Sequence, residues 1–490
     1  MLTVSEALAA VVAEVEPFAP TRVALPHALG LVLAEAIVAD RDSPPFDKSL
    51  MDGYAVRAAD VASGKARLTV IDEVMAGHVP SRTVEPGQAT RLMTGAPLPD
   101  GADAIVQVEH TRAVSASSLV AGVERSEPPG SVGFALQPPY EIEIDTSPVS
   151  PGRSILKHGD SHRAGTRVLE PGRTLRPQEL ACLAELGQSH VAVHRRPRVA
   201  VLATGDELVP VDRDPGPGQI RNSNETMLVA QLKLAGAEPV PLGIARDERD
   251  HLRERIAAGL EYDLLLLSGG VSAGKLDLVP SVLAELGVRQ VFHKVKIKPG
   301  QPLWFGTFGS AAQSPPLMKG GQGGSGPTSD TFFAPSTGPE HFSESEIGEG
   351  LSTVHVTPPA PPSQGGEKLR SGSPPMHHTC HVFGLPGNPV SSMVCFELFV
   401  RTAIRRRMGI APAEPRPVQA RLMEEHVARG PRPTYHPAWL DHDSSGATVR
   451  PVRWIGSADL TATVSANAMV LFPAGDRTHR VGEVLDVFPW

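Results

Sequence analysis

An apolar run that breaks abruptly into glycine constrains this chain more than any other feature. Asp263-Leu264-Leu265-Leu266-Leu267 leads directly into Ser268-Gly269-Gly270-Val271-Ser272-Ala273-Gly274-Lys275-Leu276-Asp277. Consecutive leucines leave no polar face, so the run reads as a strand buried on both sides, as in a parallel sheet covered by helices. A helical pattern follows from Leu276 to Leu286. In open α/β sheets, ligands bind outside the carboxyl ends of the strands. Small residues there let backbone N–H groups approach an anion, and the next helix N-terminus adds a partial positive charge. Asp277 stands where it can hold a cation that the anion carries. Taken alone, the same loop is compatible with a plain tight turn.

Two further segments repeat the pattern. Arg198 to Ala203 reads as a strand followed by Thr204-Gly205-Asp206-Glu207-Leu208. Val382 to Leu385 reads as another, followed by Pro386-Gly387-Asn388-Pro389 and a helical run from Val390 to Arg407. Pro389 suits the first turn of a helix, where its missing N–H costs nothing. A fourth strand, Glu238 to Ile244, ends in Arg246-Asp247. Glu207, Asp247 and Asp277 therefore follow strand ends expected to share one sheet edge. A hard cation such as Mg2+ is held in this way, by one or two carboxylates together with substrate phosphates.

The chain resembles the molybdopterin molybdotransferase family, of the MoeA and gephyrin E-domain type, through six motifs in order. Ser43-Pro44-Pro45-Phe46-Asp47-Lys48-Ser49-Leu50-Met51-Asp52-Gly53-Tyr54-Ala55 is similar to that family's PPFDxSxMDGYA signature. Thr94-Gly95-Ala96-Pro97 with Gly101 to Val106 resembles its TGAPxPxGADAVV stretch. Thr204 to Leu208, Ser268 to Asp277, Lys298-Pro299-Gly300-Gln301-Pro302 and Leu385 to Ser391 complete the series.

The resemblance implies a reaction in which molybdate is inserted into adenylylated molybdopterin with release of AMP, assisted by Mg2+ or a similar divalent cation. It implies that Asp52, Glu207, Asp247 and Asp277 position the cation and the pyrophosphate. Thr94, Ser268, Gly269, Gly270, Ser272, Gly387, Asn388 and Ser391 would contact the pterin or phosphates. Lys294, Lys298 and Pro299 have the spacing and context of the family's molybdate site, and Arg432 and Ser457 fall where it places further oxyanion groups. On an extended strand, residues four apart share a face, which would put both ammonium groups on one side. Asp52 lies outside the α/β region, in a part that reaches a partner's cleft in the family, so a homodimer with a shared active site is implied. A molybdopterin adenylyltransferase is an expected partner. Alternative readings are a non-catalytic molybdopterin-binding scaffold, and an adenylyltransferase or CinA-like nucleotide hydrolase on the same α/β domain. The Met51 to Tyr54 module and the C-terminal strands argue against the last two.

The expected architecture is α/β plus β in several domains. A central three-layer α/β domain of MogA-like type is joined by a β-rich N-terminal domain and a small C-terminal β-barrel. Residues 1–42 and 152–192 would form an elongated linking and dimerisation domain. The β-rich domain would span 43–151, the α/β domain 193–408 and the barrel 409–490. Ser5 to Phe18 and Pro177 to Leu186 have helical periodicity, and the barrel strands are read at Val418 to Glu424, Ala447 to Val452, Ala468 to Phe472 and Val484 to Phe488. Thr111 to Val149 fits the family poorly and reads as an extended loop or added hairpin. Residues 309–380, rich in Gly, Ser, Pro and Thr, read as a disordered insertion between two strands, since they cannot bury enough apolar surface to offset ordering entropy. At its end His377, His378, Cys380 and His381 are metal-capable but have no second ligand cluster.

The bulk properties narrow the partners. The 490 residues carry 46 basic and 54 acidic side chains, a net charge of -8, which does not suit a general nucleic-acid or acidic-membrane binder. Three cysteines, Cys182, Cys380 and Cys395, form no disulfide framework and point to the cytoplasm. No basic segment followed by an apolar core opens the chain, and no run approaches the roughly 20 apolar residues of a membrane helix.

Overall fold

The computed structural model describes residues 1–114, 138–271, 278–309 and 379–490. Its centre is a six-stranded sheet with strands β1 (Arg198–Thr204), β2 (Glu238–Ala245), β3 (Leu264–Ser268), β4 (Arg289–His293), β5 (Trp304–Phe308) and β6 (Cys380–Leu385). Their spatial order is β2-β1-β3-β6-β5-β4. The first four run parallel, while β5 is antiparallel to β6 and β4 to β5. β1, β3 and β6 are buried along nearly their whole length, which is why their sequences show no alternation. Alternate side chains enter two cores. Leu264, Leu266, Val199 and Val201 face one, and Leu265, Leu267, Ala200 and Leu202 face the other. Helices Ser223–Leu234 and Pro389–Arg407 cover the first face, and Arg249–Gly259 and Val279–Glu285 the second. The run from Pro389 to Arg407 is helical as expected, with a wider π turn at Phe396–Val400 that carries buried Glu397 between Gln231 and Arg401.

The pairing of β5 with β6 is direct, from Trp304 opposite Gly384 to Phe308 opposite Cys380. The expected insertion therefore begins after Gly309 and ends before Thr379. Cys380 belongs to a strand, because its buried side chain joins the second core. Residues 310–378, with His377 and His378, lie outside the described residues. His381 is also a core residue, 1% exposed, with Nε2 donating to the carbonyl of Glu14 at 3.0 Å. Burial pushes this imidazole down to about 4, so it sits neutral in the core. Among the described residues no cluster of three or more His, Cys, Asp or Glu side chains has metal-holding geometry.

The N-terminal helix, Val4–Glu14, is capped by Thr3 and Glu6 in a reciprocal box. Ala7 and Val11 form its buried face, and with its C-cap Val15 it joins the core that also holds Phe399 and Ala403. The remainder of the linking region is built by strand exchange: Thr21–Ala24 and Val32–Leu33 flank His190–His194, and Ile37–Val38 pairs with Arg167–Leu169. Residues 53–145 form a second six-stranded sheet. Within it, Tyr140–Asp145 pairs with both Lys65–Val74 and Thr111–Val114, so the poorly matching stretch extends the sheet by two strands. Residues 115–137 between them lie outside the described residues.

The C-terminal strands close into a five-stranded barrel. Four of its strands were legible in the sequence; Thr434–Asp443 was missed. That strand holds Pro437 and ends in alternating acids and imidazoles, so it lacks the apolar signature although Thr434 to Ala438 are buried. No helix among the described residues is long and apolar enough to cross a membrane.

Candidate active site

Parallel pairing places the carboxyl ends of β2, β1, β3 and β6 side by side, and a cleft of about 580 Å3 opens there. Thr204, Glu207, Asn224, Asp247, Ser268, Gly269, Gly270, Gly387 and Asn388 all line it. Two glycines shape its floor. Gly269 and Gly270 have φ of +97° and +63°, and a Cβ on Gly269 would lie 2.6 Å from the carbonyl oxygen of Thr204. A Cβ on Gly270 would lie 2.7 Å from Val279 and 2.8 Å from Thr204 Oγ1. Only glycine permits both the backbone conformation and the close approach to the end of β1. The N–H of Gly269 donates to the carbonyl of Leu385 at 3.1 Å, so it ties the loop to β6 and is not a free anion donor. Glu207 folds back over Gly205, where a side chain would collide with its carboxylate.

Asn224, which the sequence reading did not single out, joins the two glycine loops. Its Nδ2 donates at 2.8 Å to Ser268 Oγ and at 2.8 Å to the carbonyl of Gly387. Its Oδ1 and the Thr204 hydroxyl are buried without a hydrogen-bond partner among the described residues. The only signal for it in the sequence is its place as the second helical residue after the Asn222 cap, on the buried side of the helix.

A second cleft, of about 670 Å3, adjoins the first and shares Pro302, Pro386 and Asn388 with it. Lys298, Pro299, Ser391, Arg429, Arg432 and Ser457 line it, so residues far apart in sequence meet here. The contact is made by backbone pairing. Lys298 N–H donates to the carbonyl of Pro433 at 2.9 Å, and Tyr435 N–H to that of Lys298 at 2.8 Å. Arg432 Nη1 donates to the carbonyl of Ile297 at 3.1 Å and to Gln301 Oε1. Asn388 Nδ2 donates to Ser457 Oγ at 2.9 Å, and Val390 N–H to the carbonyl of Ser457 at 3.0 Å. Arg429 is a further cation that the sequence reading missed, since nothing in its local sequence distinguishes it from other exposed arginines.

Lys294 departs from expectation. β4 ends at His293, and Lys294 adopts φ +71°, so 294–298 is an irregular segment with isolated bridges at Val295 and Lys298 and not a continuous strand. The two-residue alternation that would align the ammonium groups does not apply, and Lys294 is not among the residues lining the cleft with Lys298. Asp52 and Thr94 form a separate pair in the N-terminal sheet region. Asp52 accepts from the Thr94 hydroxyl at 2.7 Å and from its N–H at 2.6 Å, and these bonds hold the carboxyl below its usual range. Neither residue lines the two clefts. Ser272 and Asp277 lie outside the described residues.

A glycine-cradled cleft with carboxylates thus opens onto a cation-lined one where the α/β region meets the β-barrel. Known proteins agree along the whole length. Residues 2–187 match the MoeA N-terminal region (domain I and II), 200–406 a probable molybdopterin binding domain, and 419–490 the MoeA C-terminal region (domain IV). A molybdopterin molybdenumtransferase of Staphylococcus aureus is 30% identical over 494 residues, covering 99% of this chain and 95% of its own. One from a Nostoc species is 32% identical over 461 residues, covering 91% and 83%. The crystal structure of a molybdopterin biosynthesis MoeA protein from Pyrococcus horikoshii superposes with a TM-score of 0.68 at 25% identity, covering all of both chains. The chain belongs to the MoeA family of molybdopterin molybdenumtransferases.

Proposed function

We propose that this protein inserts molybdate into adenylylated molybdopterin and releases AMP, giving molybdenum cofactor. The observation that carries the reading is the adjoining pair of clefts, one framed by glycine loops and carboxylates and the other lined by Lys298, Arg429 and Arg432. A substrate with a phosphoanhydride at one end and a dithiolene at the other spans such a pair. Ser268, Gly270 and Gly387 frame the phosphates; Lys298, Arg429 and Arg432 offset the charge of a tetrahedral dianion, with Ser391 and Ser457 as hydroxyl donors. One oxide leaves molybdate as water, taking the protons of the two thiols as the Mo–S bonds form, and one water adds across the phosphoanhydride to give AMP and the terminal phosphate of the pterin.

Glu207 and Asp247 supply hard oxygen donors in one cleft and fit a divalent cation of the Mg2+ type, completed by phosphate oxygens. When bound, such a cation would offset charge on the departing phosphate. Asp277 and Asp52 are proposed to join this role, Asp52 from a partner subunit. We further propose a homodimer through the region of residues 1–42 and 152–192, a cytoplasmic site of action, and supply of substrate by a molybdopterin adenylyltransferase.

The test is AMP release from supplied adenylylated molybdopterin with and without molybdate. Release that depends on molybdate supports the reading, and no release by folded protein at any molybdate concentration overturns it.

A further inference from the structure

We infer that Asn224 is a positioning residue that fixes Ser268 as a hydrogen-bond donor to a phosphate oxygen of the substrate. The inference rests on the reading of the glycine-lined cleft given above. Asn224 is 9% exposed, and its Nδ2 bridges Ser268 Oγ and the carbonyl of Gly387. A carbonyl oxygen can only accept, so the contact with Gly387 settles which end of the amide faces the two loops. Ser268 Oγ must then act as an acceptor toward Asn224. A hydroxyl has a single proton, and that of Ser268 has no acceptor recorded among the described residues. Ser268 ends β3 at the cleft wall, beside Gly269 and Gly270, where an anion would meet that proton.

A second observation points the same way. Asn224 Oδ1 is buried and unpaired among the described residues. An unmet buried acceptor costs stability, so a residue serving only as packing between loops would be better replaced by an apolar one. What the amide contributes is its two N–H donors, and both go to the elements that frame the phosphate cleft. An aspartate at this position would reverse the polarity. It would accept the Ser268 proton, turn it from the ligand, and set a negative charge against the Gly387 carbonyl and the incoming phosphate.

The experiment measures affinity for adenylylated molybdopterin by calorimetry in the full chain, with thermal unfolding as the folding control. The variants are Asn224→Ala, Asn224→Asp and Ser268→Ala, with each Asn224 change also made in the Ser268→Ala background. Loss of one hydrogen bond to a charged group corresponds to about tenfold or more in affinity. The expected result is a loss of that size for Asn224→Ala and Ser268→Ala singly, a larger loss for Asn224→Asp, and under about twofold further loss for Asn224→Ala once Ser268 is already alanine. The molybdate concentration for half-maximal activity should stay within about twofold, because the oxyanion groups lie in the adjoining cleft. Asn224→Ser, smaller and still able to donate, carries the comparison if Asn224→Ala does not fold. Additive losses, or unchanged affinity in folded variants, overturn the inference while the function stands. Failure of the unaltered protein to bind adenylylated molybdopterin overturns the function and this inference with it.

Discussion

Lys294 and Lys298 stand four residues apart and differ in what they reach. Lys298 lines the cleft with Arg432, whereas Lys294, in a left-handed conformation, is not among the lining residues. Lys298→Ala is expected to raise the molybdate concentration for half-maximal AMP release by about tenfold or more, as loss of a charge-assisted contact implies, and Lys294→Ala by much less. Equal effects of the two changes would show that this segment rearranges on binding. Lys298→Arg should not restore the site, since a planar fork does not replace a compact ammonium. Among the acids, Asp247→Ala should lower molybdate-dependent AMP release by about 100-fold, the scale of removing one fixed charge-stabilising group, with thermal unfolding little changed at so exposed a position. An unaltered rate in the folded variant would take Asp247 out of the chemistry.

At the level of elements, β6 joins two properties. It pairs in register with β5 across the point where the chain leaves and returns, and it carries His381 into the core. Because the strands already pair from Phe308 to Cys380, replacing residues 310–378 by a short Asn-Gly turn should keep the register. Stability should rise by on the order of 2–3 kcal/mol by the logarithmic cost of loop closure, raising the unfolding temperature, and activity should persist. Loss of activity without unfolding would assign the segment a part in the reaction. His381 gives the strand a pH dependence. Its pKa is pushed down from 6.5 to about 4 in the folded state, so the unfolded chain binds more protons between those values. Stability is therefore full above about pH 6.5 and is lost as pH falls toward 4, by on the order of 3 kcal/mol from this residue. Denaturant unfolding across that window should show the slope, and His381→Leu should flatten it; the same slope in the variant would place the acid sensitivity elsewhere, for instance at half-buried His426, which is also pushed down to about 4.

For the whole molecule, Asp52 and Thr94 line neither cleft, and the proposed function brings Asp52 in from a second subunit. A site completed in trans makes a specific expectation for mixtures. Asp52→Ala and Asp247→Ala proteins, each inactive, should recover about a quarter of full activity after subunit exchange, because half of randomly paired dimers are mixed and each has one intact site. No recovery in mixtures that sedimentation shows to be dimeric would mean that Asp52 acts within its own chain or not at all.

The sequence by itself determined the elements whose signals are local. Leucine runs with no polar face marked buried strands, glycine followed by a helical pattern marked the loops at their ends, and Pro389 marked a helix start. Order along the chain then placed Glu207 and Asp247 on one sheet edge, since parallel strands end on the same side. Only the tertiary structure decided the rest. Arg432 meets Lys298 through backbone pairing between the segment after β4 and the start of a strand that its own composition hid, and Ser457 meets Asn388 and Val390 by hydrogen bonds. Lys294 and Lys298 do not share a strand face, because one left-handed residue cancels strand alternation. Asn224 became visible only when the sheet brought Ser268 and Gly387, 119 residues apart in the chain, within reach of one amide. Such contacts depend on long-range geometry, and no local pattern of residue types encodes it.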